Sequence, residues 1–246
     1  MTDNFSAALG LKFVYSNLAS GQEVNGEKIN AGTAVAADLS AYYQNNDIKV
    51  GETPATIAAG VAISNLGTKI SYTNSAENKD FIPTNLGLGA AMGFEFDEYN
   101  KITFALDLNK LMVPTPDTVD ETGVAGVFDY KEQSPVSGIF SSFSDAPGGG
   151  SEELKEWMIG FGAEYWYSDQ FAVRAGYFNE AATKGNRKYF TMGLGVKYNV
   201  FGINFSYLVP VSGQRNPLNN TLRFSLLFDF DALKTGGGDA DEEDTE

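Results

Sequence analysis

The closing stretch of the chain restricts its possible folds more than any other part. Phe190, Met192, Leu194, Val196 and Tyr198 alternate with Thr191, Gly193, Gly195, Lys197 and Asn199. Phe201, Ile203, Phe205 and Tyr207 then alternate with Gly202, Asn204 and Ser206. In the last run Leu222, Phe224, Leu226, Phe228 and Phe230 stand against Arg223, Ser225 and Asp229. A side-chain period of two marks strands, because successive side chains leave a strand on opposite faces. One face is large and aromatic; the other is glycine, hydroxyl, amide and charge. That second face is too small and polar to fill a core, but it suits the wall of a water-filled lumen. Apolar residues toward lipid and polar residues inward are the pattern of a transmembrane β-barrel.

The pattern extends back to the N-terminus. Ala7, Leu9, Leu11, Phe13 and Tyr15 predict a strand over Phe5 to Ser16, followed by a polar connection from Asn17 to Gly32. A second strand is expected over Thr33 to Gln44, a turn over Asn45 to Pro54, and a third strand from Ile57. Ser64 to Gly67 reads as a bulge or bend before the strand resumes over Lys69 to Thr73, and Asn74 to Asp80 as a polar loop. Leu86 to Phe96 and Ile102 to Asn109 flank a tight turn at Glu98 to Asn100. Trp157 to Tyr167 and Phe171 to Tyr177 flank another at Ser168 to Gln170; Asn179 to Arg187 is a polar loop and Asn199-Val200 a turn. The longest connection runs from Pro114 to Glu152.

These segments predict an all-β fold, an antiparallel up-and-down transmembrane β-barrel with about ten strands, each near the ~9–11 residues that cross a bilayer when tilted. Tight turns alternate with longer loops, the sorting of periplasmic from external connections. The expected division is a barrel over residues 1–233 and a disordered acidic tail over 234–246. The tail carries Asp239, Asp241, Glu242, Glu243, Asp244 and Glu246.

Composition narrows the chemistry. The chain has no histidine and no cysteine, which removes Ser-His triads, imidazole metal sites, thiolate metal sites and disulfides. A net charge of -15 argues against a nucleic-acid partner. Glu95, Asp107, Glu164 and Asp229 fall at lumen positions where Lys12, Lys197 and Arg223 can pair with them, so a charge network is expected rather than acid-base catalysis. Ser141, Ser142 and Ser144 have no histidine to activate them. No calcium-loop spacing occurs. No catalytic residue, metal site or cofactor is therefore expected.

Several stretches go beyond a generic barrel. Gly60-Val-Ala-Ile-Ser-Asn-Leu-Gly-Thr-Lys-Ile-Ser-Tyr72, Gly138-Ile-Phe-Ser-Ser-Phe-Ser-Asp-Ala-Pro-Gly-Gly149 and Phe171-Ala-Val-Arg-Ala-Gly-Tyr177 resemble the PorV (LptO) family. So do Gly185-Asn-Arg-Lys-Tyr-Phe190, Lys197-Tyr-Asn-Val-Phe-Gly202 and Thr221-Leu-Arg-Phe-Ser-Leu-Leu-Phe228. That family comprises FadL-like outer-membrane barrels of the Bacteroidota type IX secretion system. Its members have a signal peptide and more strands than are read here, so the resemblance implies a chain truncated at its N-terminal side. It also implies a carrier, not an enzyme, located in the cell outer membrane. Such a carrier receives secreted proteins with a type IX C-terminal signal domain from a SprA-type translocon. It hands them to a PorU-type sortase that attaches them to lipopolysaccharide.

In the long connection, Phe128, Tyr130, Ile139, Phe140 and Phe143 lie within a Gly/Ser/Pro frame. Aromatics in an external loop either form a contact surface or fold back to brace the barrel mouth. Under the family resemblance they are the expected cargo-binding residues. The alternative is a FadL-like channel, in which an apolar small molecule takes the place of the cargo.

Overall fold

A computed structural model of the chain describes residues 3–17, 21–24, 26–73, 79–116, 133–211 and 220–230. Its strands are β1 (Phe5–Ser16), β2 (Glu23–Val24), β3 (Glu27–Lys28), β4 (Gly32–Val50), β5 (Thr53–Gly67), β6 (Ile70–Ser71) and β7 (Lys79–Asp80). They continue with β8 (Asn85–Glu95), β9 (Asn100–Leu111), β10 (Trp157–Tyr167), β11 (Phe171–Asn179), β12 (Lys188–Tyr198), β13 (Phe201–Pro210) and β14 (Leu222–Phe228). Between β9 and β10 lie the short helices α1 (Pro135–Ser141) and α2 (Gly150–Glu153) and a 3-10 turn at Leu154–Glu156. Ten strands form one sheet in the order β1-β4-β5-β8-β9-β10-β11-β12-β13-β14. Neighbours in the sheet follow chain order, so the fold is an all-β, barrel-like antiparallel meander, as the alternation predicts. By contact the chain falls into two compact units. One comprises Met1–Gln44, Ala58–Ala90 and Asp107–Ile159; the other comprises Asn45–Ile57, Ala91–Leu106 and Gly160–Glu246.

In the second unit the register of β11 to β14 sorts the side chains by face. Phe171, Val196, Ile203 and Leu226 form one cross-strand row, and Val173, Leu194, Phe205 and Phe224 the next. The Phe205 and Phe224 rings meet edge to face with centroids 5.4 Å apart, the kind of cross-strand pair that fixes register. On the other face Ala172, Gly195, Asn204 and Ser225 form one row and Arg174, Gly193, Ser206 and Arg223 another. Leu194 is 55% exposed and Phe224 70% exposed. Among the described residues nine apolar side chains are buried, and six of them are alanines. Among the described residues large aliphatic and aromatic side chains thus stand mostly exposed, whereas a water-soluble domain hides most of its own.

In the first unit β1 and β4 repeat the division. Leu9 faces Leu39, Leu11 faces Ala37 and Phe13 faces Val35, while Gly10 faces Asp38, Lys12 faces Ala36 and Val14 faces Ala34. The small polar-face residues are covered by the chain itself. After β5 it folds back, with Asn65 at φ 57, and places Ile70 and Ile82 against Ala34 and Ala36, with Val14 and Tyr72 packed beside them. The Tyr72 hydroxyl donates to Ser16 Oγ at 2.9 Å. At the fold-back Thr68 N–H donates to the Val35 carbonyl at 2.9 Å, and Val35 N–H donates to Thr68 Oγ1 at 3.1 Å.

Four segments differ from the sequence reading. Asn45 to Pro54, read as a turn, is mostly strand: β4 continues to Val50 and β5 begins at Thr53, joined by a two-residue turn at Gly51-Glu52 with Gly51 at φ 65. Lys69 to Thr73 does not resume the main sheet. Ile70–Ser71 instead pairs with Lys79–Asp80 in a two-stranded ribbon. The polar connection after β1 contains the β2–β3 ribbon. The connection read as one long loop from Pro114 to Glu152 contains α1 and the start of α2.

The tight turns sit where expected. Ser168 and Asp169 (φ 53 and 52) and Asn199 (φ 49) adopt the left-handed conformation that matches hairpin twist. At the β8–β9 turn, Asp97 Oδ1 accepts from the backbone N–H groups of Tyr99 and Asn100 at 2.8 and 2.7 Å. The Asn100 side-chain amide, and after it the Tyr99 N–H, hold the Asp97 carboxyl below its ordinary range. The stability this contributes is present above the unfolded value and is lost as pH falls through the folded one. The tail over 234–246, expected to be disordered, lies outside the described residues.

Candidate functional site

The strap that leads from β9 into β10 is the most elaborated connection among the described residues. Its helix α1 starts where local chemistry sets it. Ser134 takes extended backbone angles, its Oγ accepts from Ser137 N–H at 3.1 Å, and Pro135 occupies the first helical turn. Gly138 lies where the helix meets its support: a Cβ there would stand 2.8 Å from Pro114 Cγ and 2.9 Å from Phe81 Cε1. Thr115 fixes the following turn, giving its N–H to Asp145 Oδ2 and its hydroxyl to Asp145 Oδ1, both at 3.0 Å.

The placement of the sequence-predicted residues follows. Ile139 is half-buried on α1. Phe140 is 73% exposed, and Phe143, in the turn after the helix, is exposed as well. Val136 and Phe140 stand four residues apart, and Phe143 three beyond. That spacing puts them on one side of a helical turn, where Val136 is also exposed. Phe128 and Tyr130 lie outside the described residues. The sequence reading did not single out Val136, although its spacing to Phe140 was available.

The strap is tied to β9 by charge. Lys110 is 1% exposed and makes ion pairs with Glu153 at 3.2 Å and with Glu156. Its ammonium lies 5.6 Å from the centroid of the Phe143 ring. Glu153 uses its second oxygen to accept from Ala146 N–H at 2.7 Å.

Several charges of the polar face are paired. Lys12 bonds Asp38 at 2.6 Å and Asn65 Oδ1 at 3.0 Å. Lys197 bonds Asp229 at 3.2 Å. Glu164 pairs with Arg174, which also donates to Asn204 Oδ1 at 2.8 Å and lies over the Trp166 ring. Lys101 reaches Asp169 at 2.9 Å and Glu95 at 3.8 Å. Asp107 stands across from Gly89, and Arg223 faces Ser206. Arg174 and Lys101 were not anticipated as partners, because each pairs across strands with no local spacing signal.

The loop between β11 and β12 closes on a buried acid. Arg187 donates from Nε to Glu180 Oε2 at 2.7 Å and from a terminal nitrogen to Oε1 at 3.0 Å. The Glu180 carboxylate holds the guanidinium above its ordinary value. Gly185 sits at φ 142, and a Cβ there would approach Glu180 Oε2 to 2.4 Å. Removing Arg187 leaves the buried Glu180 carboxylate unpaired. Arg187→Ala is therefore expected to loosen this loop by about 1–2 kcal/mol, less than for a fully buried pair because the arginine is half exposed. Glu180→Gln should cost less. Limited proteolysis of the loop reads both, and equal or reversed sensitivities would contradict the account.

No curated protein matches the chain. Residues 1–118 match the family model described as Type IX secretion system protein PorV. The motif from Gly60 to Tyr72 lies inside that match, and the other five lie after residue 118. The match supports an outer-membrane component associated with the type IX secretion machinery. Over residues 1–118 the chain is similar to the PorV family, in agreement with the resemblance carried by the Gly60 to Tyr72 motif.

Proposed function

We propose that this protein is a type IX cargo carrier. It crosses the outer membrane on its β-sheet with the apolar face toward lipid, in the manner of FadL-like barrels of Bacteroidota. It binds the C-terminal signal domain of secreted proteins leaving a SprA-type translocon. It then brings them to a PorU-type sortase, which attaches them to lipopolysaccharide, and it performs no chemistry itself. The observation that supports capture at the strap is the exposed apolar set Val136, Phe140 and Phe143, carried on a segment that is otherwise firmly anchored. An exposed aromatic surface on a fixed support is what a binding hot spot requires.

A channel for apolar solutes is less favoured by the chemistry of the polar face. The rows of β11 to β14 opposite the aromatic face carry Arg174, Asn204, Ser206, Arg223 and Ser225, and such residues offer an apolar solute little.

Replacing Phe140 and Phe143 together with serine tests the reading. Loss of two hot-spot aromatics, at roughly 2 kcal/mol each, should weaken binding of a purified C-terminal signal domain by at least about tenfold. Barrel assembly should not change. Undiminished binding by a properly assembled variant would remove the strap from the capture surface.

A further inference from the structure

We infer that Lys110 is the positioning residue of the strap, holding its exposed aromatic face in place from beneath. In sequence Lys110 continues the even-numbered series Ile102, Phe104, Leu106 and Leu108 of β9. That series is apolar up to this point, so a lysine in it is out of pattern. Its near-complete burial makes it costlier still, because a buried ammonium is tolerated only when paired.

Among the described residues the ion-pair partners of Lys110 come from the strap. Glu153 closes α2 and Glu156 closes the 3-10 turn just before Trp157. Glu153 carries the restraint further, because its other oxygen holds Ala146 N–H and so fixes the turn after Phe143. The same ammonium lies against the Phe143 ring, where a cation is attracted to the aromatic face. One buried charge thus joins the end of β9, the end of the strap and one of its exposed aromatics. Gly138 and the Thr115–Asp145 pair separately anchor the helix and the turn that follows it.

The consequence for capture rests on the carrier reading above; the positioning role does not. The chain has no cysteine, so a spin label at Ser137→Cys on exposed α1 meets no other cysteine of this chain. In that background Lys110→Met removes the cation that Glu153 and Glu156 share. The label should become mobile, and binding of the signal domain should weaken by about tenfold, as when one partner of a buried pair is deleted. Lys110→Arg should keep both label order and binding. Lys110→Met combined with Glu153→Gln and Glu156→Gln should recover part of the order, because the two carboxylates that Lys110 held no longer carry charge. That recovery is a signature that loss of packing volume alone would not give. A label as immobile in Lys110→Met as in the parent overturns the inference, and so does failure of Lys110→Arg to keep order. If the label mobilises but the parent itself binds no signal domain, the positioning role stands and the carrier reading falls.

Discussion

Leu194→Lys is expected to abolish insertion and assembly. Leu194 lies between Val173 and Phe205 in a row that is apolar across four strands. A lysine on the lipid face of a barrel costs about 2–4 kcal/mol near the bilayer midplane, a large share of the ~5–15 kcal/mol that holds a typical fold together. The matched control is Ser225→Lys, two residues from Arg223 on the opposite face and beside the Asn204 acceptor. It should change stability by no more than about 0.5 kcal/mol, as surface substitutions do. Heat-modifiable mobility of the membrane fraction reads the assembled share of each variant. Equal tolerance of the two lysines would mean that the apolar rows do not face lipid.

Gly67→Ala carries the second large effect, and it concerns the fold-back rather than the sheet face. A Cβ at Gly67 would stand 2.2 Å from the Val35 carbonyl oxygen and 2.7 Å from Ala36 Cα. Those are backbone atoms, so no rotamer change relieves the clash. The fold-back would have to lift away, taking Ile70 and Tyr72 from the buried cluster with Ala34 and Ala36. The expected loss is about 3 kcal/mol, at the upper end for overpacking. Gly60→Ala is the comparison, because its nearest neighbours would be an ordinary 3.5 and 3.6 Å away. Urea titration of the assembled protein should separate the two variants by a clear shift in midpoint. Coincident midpoints would show that the fold-back adjusts freely.

The parts of the fold that could be read in the sequence are those where one face is aromatic and the other is glycine. Trp157–Tyr167 and the turn Ser168 to Gln170 were placed to the residue, because a one-residue slip there would exchange the two faces completely. Reading failed where that contrast lapses. Asn45, Asn46, Asp47 and Pro54 carry turn-forming chemistry, yet they belong to strands that run on past their apolar portion and need no apolar face there. Ile70–Ser71 and Lys79–Asp80 are too short to show any period. Helix α1 was announced by Ser134 followed by Pro135, a start signal overlooked because the segment was judged by its aromatics. Phe140 and Phe143 could be picked out as loop aromatics, but Lys110 could not be read as part of the site. Its partners lie 43 and 46 residues further along the chain, and only the folded strap brings them together.

The carrier reading is tested most directly by isolating the full-length protein, tagged at its C-terminus, from detergent-solubilised outer membranes and identifying what comes with it. The account predicts recovery of secreted proteins sharing a C-terminal signal domain, of a very large translocon barrel, or of both. Recovery of the barrel alone with an apolar compound bound, or of the protein from the soluble fraction, would contradict it.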